Sequence, residues 1–297
     1  MIFQTPAIAR RALGAYVGFA LGDALGATVE FMTAQEIRAT YGVHRKIIGG
    51  GWLHLKPGQV TDDTQLCLAL GGAMLAHEGW ELRAVADAFL RWMRSGPADI
   101  GHTCRRGIRR YALDGSLCAE PTADSGGNGA AMRNLPLALA TLGNAEAFVQ
   151  RSLEQAHITH HHPFSDAATI ALGEITQQLV LGGSLREARD YADEFVARQP
   201  VFSFSPWAGN TSGYIVDTVQ TVFDAFFTTK NFEECVLRAV NRGGDADTAG
   251  ALAGQLAGAC YGIDAIPLSW LKRLDPAVHA AIYQQTTGLL ALAEQRR

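Results

Sequence analysis

Apolar residues recur at three- and four-residue spacing through most of the chain. QLCLALGGAMLAHEG, ELRAVADAFLRWMRS, AATIALGEITQQLVLGG, LREARDYADEFVARQ and IVDTVQTVFDAFFTT all carry this helical period. Alternating strand patterns bounded by turn signals are nearly absent. Breakers fall between the periodic segments, at Pro57-Gly58, Gly96-Pro97, Gly126-Gly127, His162-Pro163, Gly182-Gly183, Ser205-Pro206 and Gly243-Gly244. With helices of roughly 10–20 residues, the pattern predicts an all-α fold of about a dozen helices. No Pro/Ser-rich linker or composition shift divides the chain, so residues 1–297 read as one domain.

Two predicted helices are unusual. In LGAYVGFALGDALGA, Gly14, Gly18, Gly22 and Gly26 fall on every fourth residue, and in TAGALAGQLAGACYG so do Gly250, Gly254, Gly258 and Gly262. Each helix-interior glycine costs about 1 kcal/mol relative to alanine, so the stripes need a compensating use. One use is a small-residue face between membrane helices, but carboxylates lie in or beside both segments. The other is a soluble fold in which two helix backbones approach closely, each stripe serving the other. Arg10 and Arg11 before an apolar stretch superficially resemble a signal peptide. Asp23 and Glu30 interrupt that stretch before it reaches the ~20 apolar residues a bilayer span needs.

Composition narrows the class. The chain has 297 residues, 48% hydrophobic and 18% charged, which excludes disorder and a collagen-like repeat. A net charge of −4 argues against gripping nucleic acid by bulk charge. Five scattered cysteines, never in a CxxC pair, match a reducing compartment and small packing residues. The expectation is a soluble, cytosolic protein.

The candidate chemistry is acidic. In GQVTDDTQLCLAL, Thr61, Asp62, Asp63 and Thr64 stand at a helix start, and Asp245, Asp247 and Thr248 repeat the design in NRGGDADTAGALAG. Either cluster alone is explained as an N-cap, since Thr and Asp satisfy orphan amides there. One residue suffices for a cap, however, and adjacent carboxylates repel beyond what the helix dipole offsets. A shared metal site would resolve the conflict. Oxygen ligands without cysteine suit Mg²⁺ or Mn²⁺ rather than Zn²⁺, and so many carboxylates suit a two-metal centre with ions roughly 3.5–4 Å apart.

Weaker candidates surround these. Glu30 is a carboxylate in apolar company, and Asp99 sits in a Pro/Gly turn where an Asx-turn is the default. Gly127, Asn128 and Gly129 precede a helix, with amides that could cradle a phosphate or simply make a turn. In His160, His161 and His162 the side chains diverge, so one is expected to face a pocket and two to face solvent. Phe204, Trp207 and Tyr214 could form an aromatic face for a base, or be core. No GxSxG, HExxH, P-loop or Rossmann signature is present.

Taken together, GFALGDALGATVEFM, GQVTDDTQLCLAL, GGNGAAMRNLPLAL, ITHHHP and NRGGDADTAGALAG resemble the ADP-ribosylglycohydrolases over nearly the whole chain. The resemblance implies an all-helical domain with two divalent cations, Mn²⁺ or Mg²⁺, at the base of a cleft. By motif match Thr61, Asp62, Asp63, Asp245, Asp247 and Thr248 would form the metal shell. Asp99, Glu30 and Asp62 would be the catalytic carboxylates. Gly127, Asn128 and Gly129 would contact diphosphate, His160 the distal ribose, and Tyr214 the adenine side. Within the family the likeness is to bacterial members that remove ADP-ribose from an arginine of dinitrogenase reductase and so regulate nitrogen fixation. It further implies PII signalling proteins as partners and, through them, reversible membrane association at an ammonium transporter. The competing expectations are a hydrolase of serine-linked or O-acetyl-ADP-ribose, and a non-catalytic ADP-ribose-binding module.

Overall fold

The structure, a computed structural model, describes residues 3–295. Among these residues there are 14 α-helices, four single 3₁₀ turns and no strand, only isolated bridges. None of the described helices is long and apolar enough to cross a membrane.

The two glycine helices pack against each other along the middle of the molecule. The first, Pro6–Gly26, starts where Thr5 caps it by accepting from the Ile8 amide and Pro6 takes a first-turn position whose N–H would have no helical partner. The second runs Ala246–Tyr261. Gly14 faces Gly258, Gly18 faces Gly254 and Gly22 faces Gly250, so the helices are antiparallel with backbone against backbone. A Cβ on Gly250 would lie 2.6 Å from the Gly22 carbonyl oxygen and one on Gly14 2.5 Å from that of Gly258. No real side-chain atom tolerates such a contact, so close packing replaces the stability the glycines give up. Gly262 ends both stripe and helix, turning out at φ +78°.

This antiparallel zipper fixes where the acids go. It brings the end of the first helix, and the turn through Glu30, beside the start of the second, where Asp245 and Asp247 stand. The Gly243-Gly244 turn before Asp245 is tied to that same segment, with the Phe31 amide donating to the Gly244 carbonyl at 2.7 Å and the Gly244 amide to that of Met32 at 2.8 Å. The helix Asp62–Ala76, capped by Thr61, is brought in by Asp23 of the first glycine helix. Asp23 is fully buried and accepts from the Thr61 amide at 3.0 Å and the Thr64 hydroxyl at 2.5 Å. Both acidic helix starts thus converge on one end of the zipper.

Candidate active site

Glu30, Asp62, Asp63, Asp99, Asp245, Asp247 and Thr248 line one cavity of about 390 Å³, together with Gly127, Asn128, Gly129 and His160. Among the described residues, no Lys or Arg side chain lines it. A second cavity of about 340 Å³, between the N-terminal helix and Tyr283–Leu290, has no acidic residue or histidine in its wall and offers no comparable chemistry.

The carboxylates are held but under-satisfied. Asp63 accepts from the Thr61 and Thr248 hydroxyls on Oδ2, each at 3.2 Å, while its other oxygen, Oδ1, is buried without a hydrogen-bond partner. Asp62 has one long bond, from the Gly101 amide at 3.4 Å. Asp247 accepts from the Thr248 amide at 2.9 Å, and Asp99 from the amide of the next residue, Ile100, at 2.7 Å, one residue short of the expected Asx-turn. Glu30 accepts from the Trp52 indole at 2.6 Å. Glu30, Asp245 and Asp247 each offer an oxygen within 4.8 Å of the other two, a geometry that could hold a cation.

Burial and mutual repulsion resist ionisation of this cluster. Burial, followed by the charge of Asp99, pushes Asp62 up to about 7. Glu30 rises to about 8 through burial and through Asp245, Asp99 and Asp62, against the pull of the Trp52 hydrogen bond. Asp63 and Asp247 are pushed well above the usual carboxylate range by burial first and by their acidic neighbours second. Asp99 is raised by burial as well.

The opposite wall is built around a fully buried arginine. Arg133 donates to the Gln155 side chain at 2.8 Å, to the Gln155 carbonyl at 2.9 Å and to the Thr159 hydroxyl at 2.8 Å, with its guanidinium 4.7 Å from the Phe89 ring centroid. Thr159 stands 2.8 Å from His160 Nδ1. Since Arg133 can only donate, the hydroxyl hydrogen is left for Nδ1, and the imidazole keeps its own hydrogen on Nε2. Burial, and then Arg133, hold His160 well below its ordinary pKa, so it is neutral. Gly127 and Gly129 make room for this ring, because a Cβ on Gly129 would lie 2.7 Å from His160 Cε1 and one on Gly127 3.2 Å from Nε2. Asn128 points the other way, donating to Asp245 at 2.5 Å and to the Thr218 hydroxyl at 3.0 Å. The Gly-Asn-Gly stretch is therefore committed to positioning His160 and Asp245, whatever else its amides do.

Some expectations are modified. Thr61 reaches the cluster only through Asp63 and Asp23 and is not in the cavity wall. Tyr214 is 40% exposed beside Gly126, outside the lining. Phe204, Trp207 and Tyr214 form no common face: Phe204 belongs to a buried cluster with Phe223 and Phe227, and Trp207 lies 3.7 Å under the Arg242 guanidinium. Of the three consecutive histidines only His160 enters the cavity. The other two are half-buried rather than simply solvated, because the segment caps a helix. His162 accepts from the Phe164 amide, and His161 stacks on His157 with ring centroids 3.7 Å apart. Asp23, Phe31 and Trp52 are site residues that no motif of the sequence pointed to. The signal for Asp23 was a lone carboxylate inside a helix that otherwise reads as apolar.

An all-helical fold with two aspartate-bearing helix starts facing one cleft defines a class, and comparison gives it a name. The sequence model of the ADP-ribosylglycohydrolase family matches residues 4–297, and the chain belongs to that family. It is 51% identical over 288 residues to the ADP-ribosyl-[dinitrogen reductase] glycohydrolase of Rhodospirillum rubrum, covering 97% of this chain and 98% of that one. It is 32% identical to the ADP-ribosylarginine hydrolase Tri1 of Serratia proteamaculans, over 89% of this chain and 75% of that protein. A solved structure described as an ADP-ribosylglycohydrolase-related protein complex superposes with a TM-score of 0.85 at 32% identity, covering 97% of this chain and all of that one.

Proposed function

We propose that this cleft hydrolyses the N-glycosidic bond between ADP-ribose and an arginine of dinitrogen reductase, restoring that protein and so regulating nitrogen fixation. The activities named for the Rhodospirillum and Serratia relatives support the reaction and the linkage. The observation that carries the chemistry is the buried carboxylate cluster with an orphaned Asp63 Oδ1 and, among the described residues, no Lys or Arg in the wall. Such a donor set suits a hard divalent cation, and a purely structural role has no use for it.

Thr61, Asp62, Asp63, Asp245, Asp247 and Thr248 would hold two such ions, Mn²⁺ or Mg²⁺, with Thr61 supporting the shell through Asp63. When bound, the ions would supply charge to fix ribose hydroxyls and to acidify a coordinated water. The protein's own residues would do the rest. His160 would present its Nε2 hydrogen to the ribose, and the Gly127 to Gly129 backbone would border the diphosphate, with Tyr214 outside the cavity toward the adenine. Glu30, with Oε2 held by Trp52, or Asp99 would take a proton from the attacking water as its oxygen bonds the anomeric carbon. The C–N bond breaks with its electrons going to nitrogen, and the water's proton passes to that nitrogen. The guanidinium thus leaves with the charge it arrived with, and no separate strong acid is required. For control, a PII signalling protein and, through it, an ammonium transporter would be the partners.

The test is ADP-ribose release from an arginine-ADP-ribosylated protein beside a serine-linked conjugate, with EDTA and then Mn²⁺ added back. Release from the arginine conjugate, abolished by EDTA and restored by Mn²⁺, is expected. Release from the serine conjugate alone would reassign the linkage. Binding of ADP-ribose without any release would make the chain a reader module.

A further inference from the structure

Phe31 is an anomaly in this fold. It is a bulky residue held at φ +63°, a left-handed conformation that costs a side chain of its size, and its ring is 66% exposed. Neither the backbone nor the core explains a phenylalanine there. Its amide is pinned to the Gly244 carbonyl at 2.7 Å, so the turn that delivers Asp245 also delivers the Phe31 ring. The ring meets Trp52, itself 47% exposed, with centroids 5.3 Å apart and planes at 47°. Among the described residues the two are the only Phe, Tyr or Trp in the wall of the carboxylate cavity, and the Trp52 indole is bonded to Glu30. One exposed aromatic face is therefore bonded to a carboxylate of the acid cluster, and the second packs against the first.

Aromatic faces beside a carboxylate are suited to a planar organic cation. A guanidinium is weakly hydrated, stacks on aromatic rings and pairs with carboxylates in the same plane. Resting on the reaction proposed above, we propose that Phe31 and Trp52 form the subsite for the substrate arginine, gripping its guanidinium against Glu30 and selecting an arginine linkage over a neutral one. ADP-ribose itself carries no cation, and nothing in the wall requires it to touch these rings. The wall would hold the guanidinium in the substrate and as it departs, so its contribution falls mainly on substrate capture.

The test compares wild type with Phe31→Leu and Phe31→Tyr in the full-length, Mn²⁺-loaded protein. Steady-state kinetics on ADP-ribosylarginine is read beside the Kd for ADP-ribose. Phe31→Leu keeps an apolar side chain under the same backbone constraint and removes only the π face. It should lower kcat/KM about tenfold, chiefly through KM, while the ADP-ribose Kd stays within about twofold of wild type. Phe31→Tyr should restore wild-type values, and methylguanidine should inhibit wild type more strongly than Phe31→Leu. A parallel loss of ADP-ribose affinity, or unchanged kinetics in Phe31→Leu, would overturn the subsite while leaving the reaction intact. A wild type inert toward ADP-ribosylarginine would overturn the reaction, and the subsite with it.

Discussion

Asp224 and Asp62 are both aspartates buried among helices, and the protein treats them differently. Asp224 is met by two arginines, Arg238 at 3.0 Å and Arg242 in closer contact, and Arg242 is backed by the Trp207 ring. Asp62 has a single long amide bond and faces other carboxylates. The fold can thus neutralise a buried acid where it needs one for structure. In the cleft it does not, and the deficit falls on several acids at once. A buried charge left without a partner costs several kcal/mol, so the cleft is stabilised only by protons or by a cation from outside. The comparison separates an ion pair that belongs to the fold from a carboxylate cluster without basic side-chain partners that belongs to the function.

The sharpest way to break this comparison is to remove one acid on each side. Asp247→Ala should lower turnover on the order of a thousandfold, equivalent to about 4 kcal/mol, while leaving helical circular dichroism unchanged. Asp224→Ala should do the opposite. It strands two arginines and should cost about 3 kcal/mol of stability by denaturant titration, with kcat of the folded fraction unchanged. Wild-type turnover in Asp247→Ala, or full stability in Asp224→Ala, would erase the distinction.

Much of this contrast was legible in the residues. The two glycine stripes announced close backbone packing because a four-residue repeat leaves one helix face bare, and the structure pairs them Gly22 to Gly250. The threonine and aspartate clusters announced helix starts because their side-chain oxygens accept from orphan first-turn amides, and more of them than a cap needs announced the acid cluster. Asp23 was hidden because its partners, Thr61 and Thr64, lie far along the chain and only the fold brings them together. The pairing of Asp224 with Arg238 and Arg242 was hidden for the same reason, as helical spacing says nothing about neighbours on another helix. Phe31 and Trp52 lie outside any periodic segment, where an exposed aromatic has no sequence signature.

The pH dependence of the metal-free protein sharpens the comparison further. Asp62 is raised from the ordinary 3.8 to about 7 and Glu30 from 4.5 to about 8, both mainly by burial. A carboxyl whose folded-state pKa is raised favours the fold while protonated. That contribution is complete below pH ~4 and is lost as pH rises through about 7 to 8. The cluster's share of stability should therefore fall from pH 5 to pH 8 in EDTA and be recovered by Mn²⁺, which binds the folded state.

The most direct measurement is the melting temperature of wild type and Asp62→Asn at pH 8, each in EDTA and in saturating Mn²⁺. The amide removes one repelling charge and one ligand while keeping the shape. Asp62→Asn should melt several degrees above wild type in EDTA and below it in Mn²⁺, so that the order of the two proteins reverses with the metal. A variant that is less stable than wild type in EDTA, or that Mn²⁺ stabilises as much as wild type, would contradict the claim that the cleft's carboxylates are held unpaired for a cation.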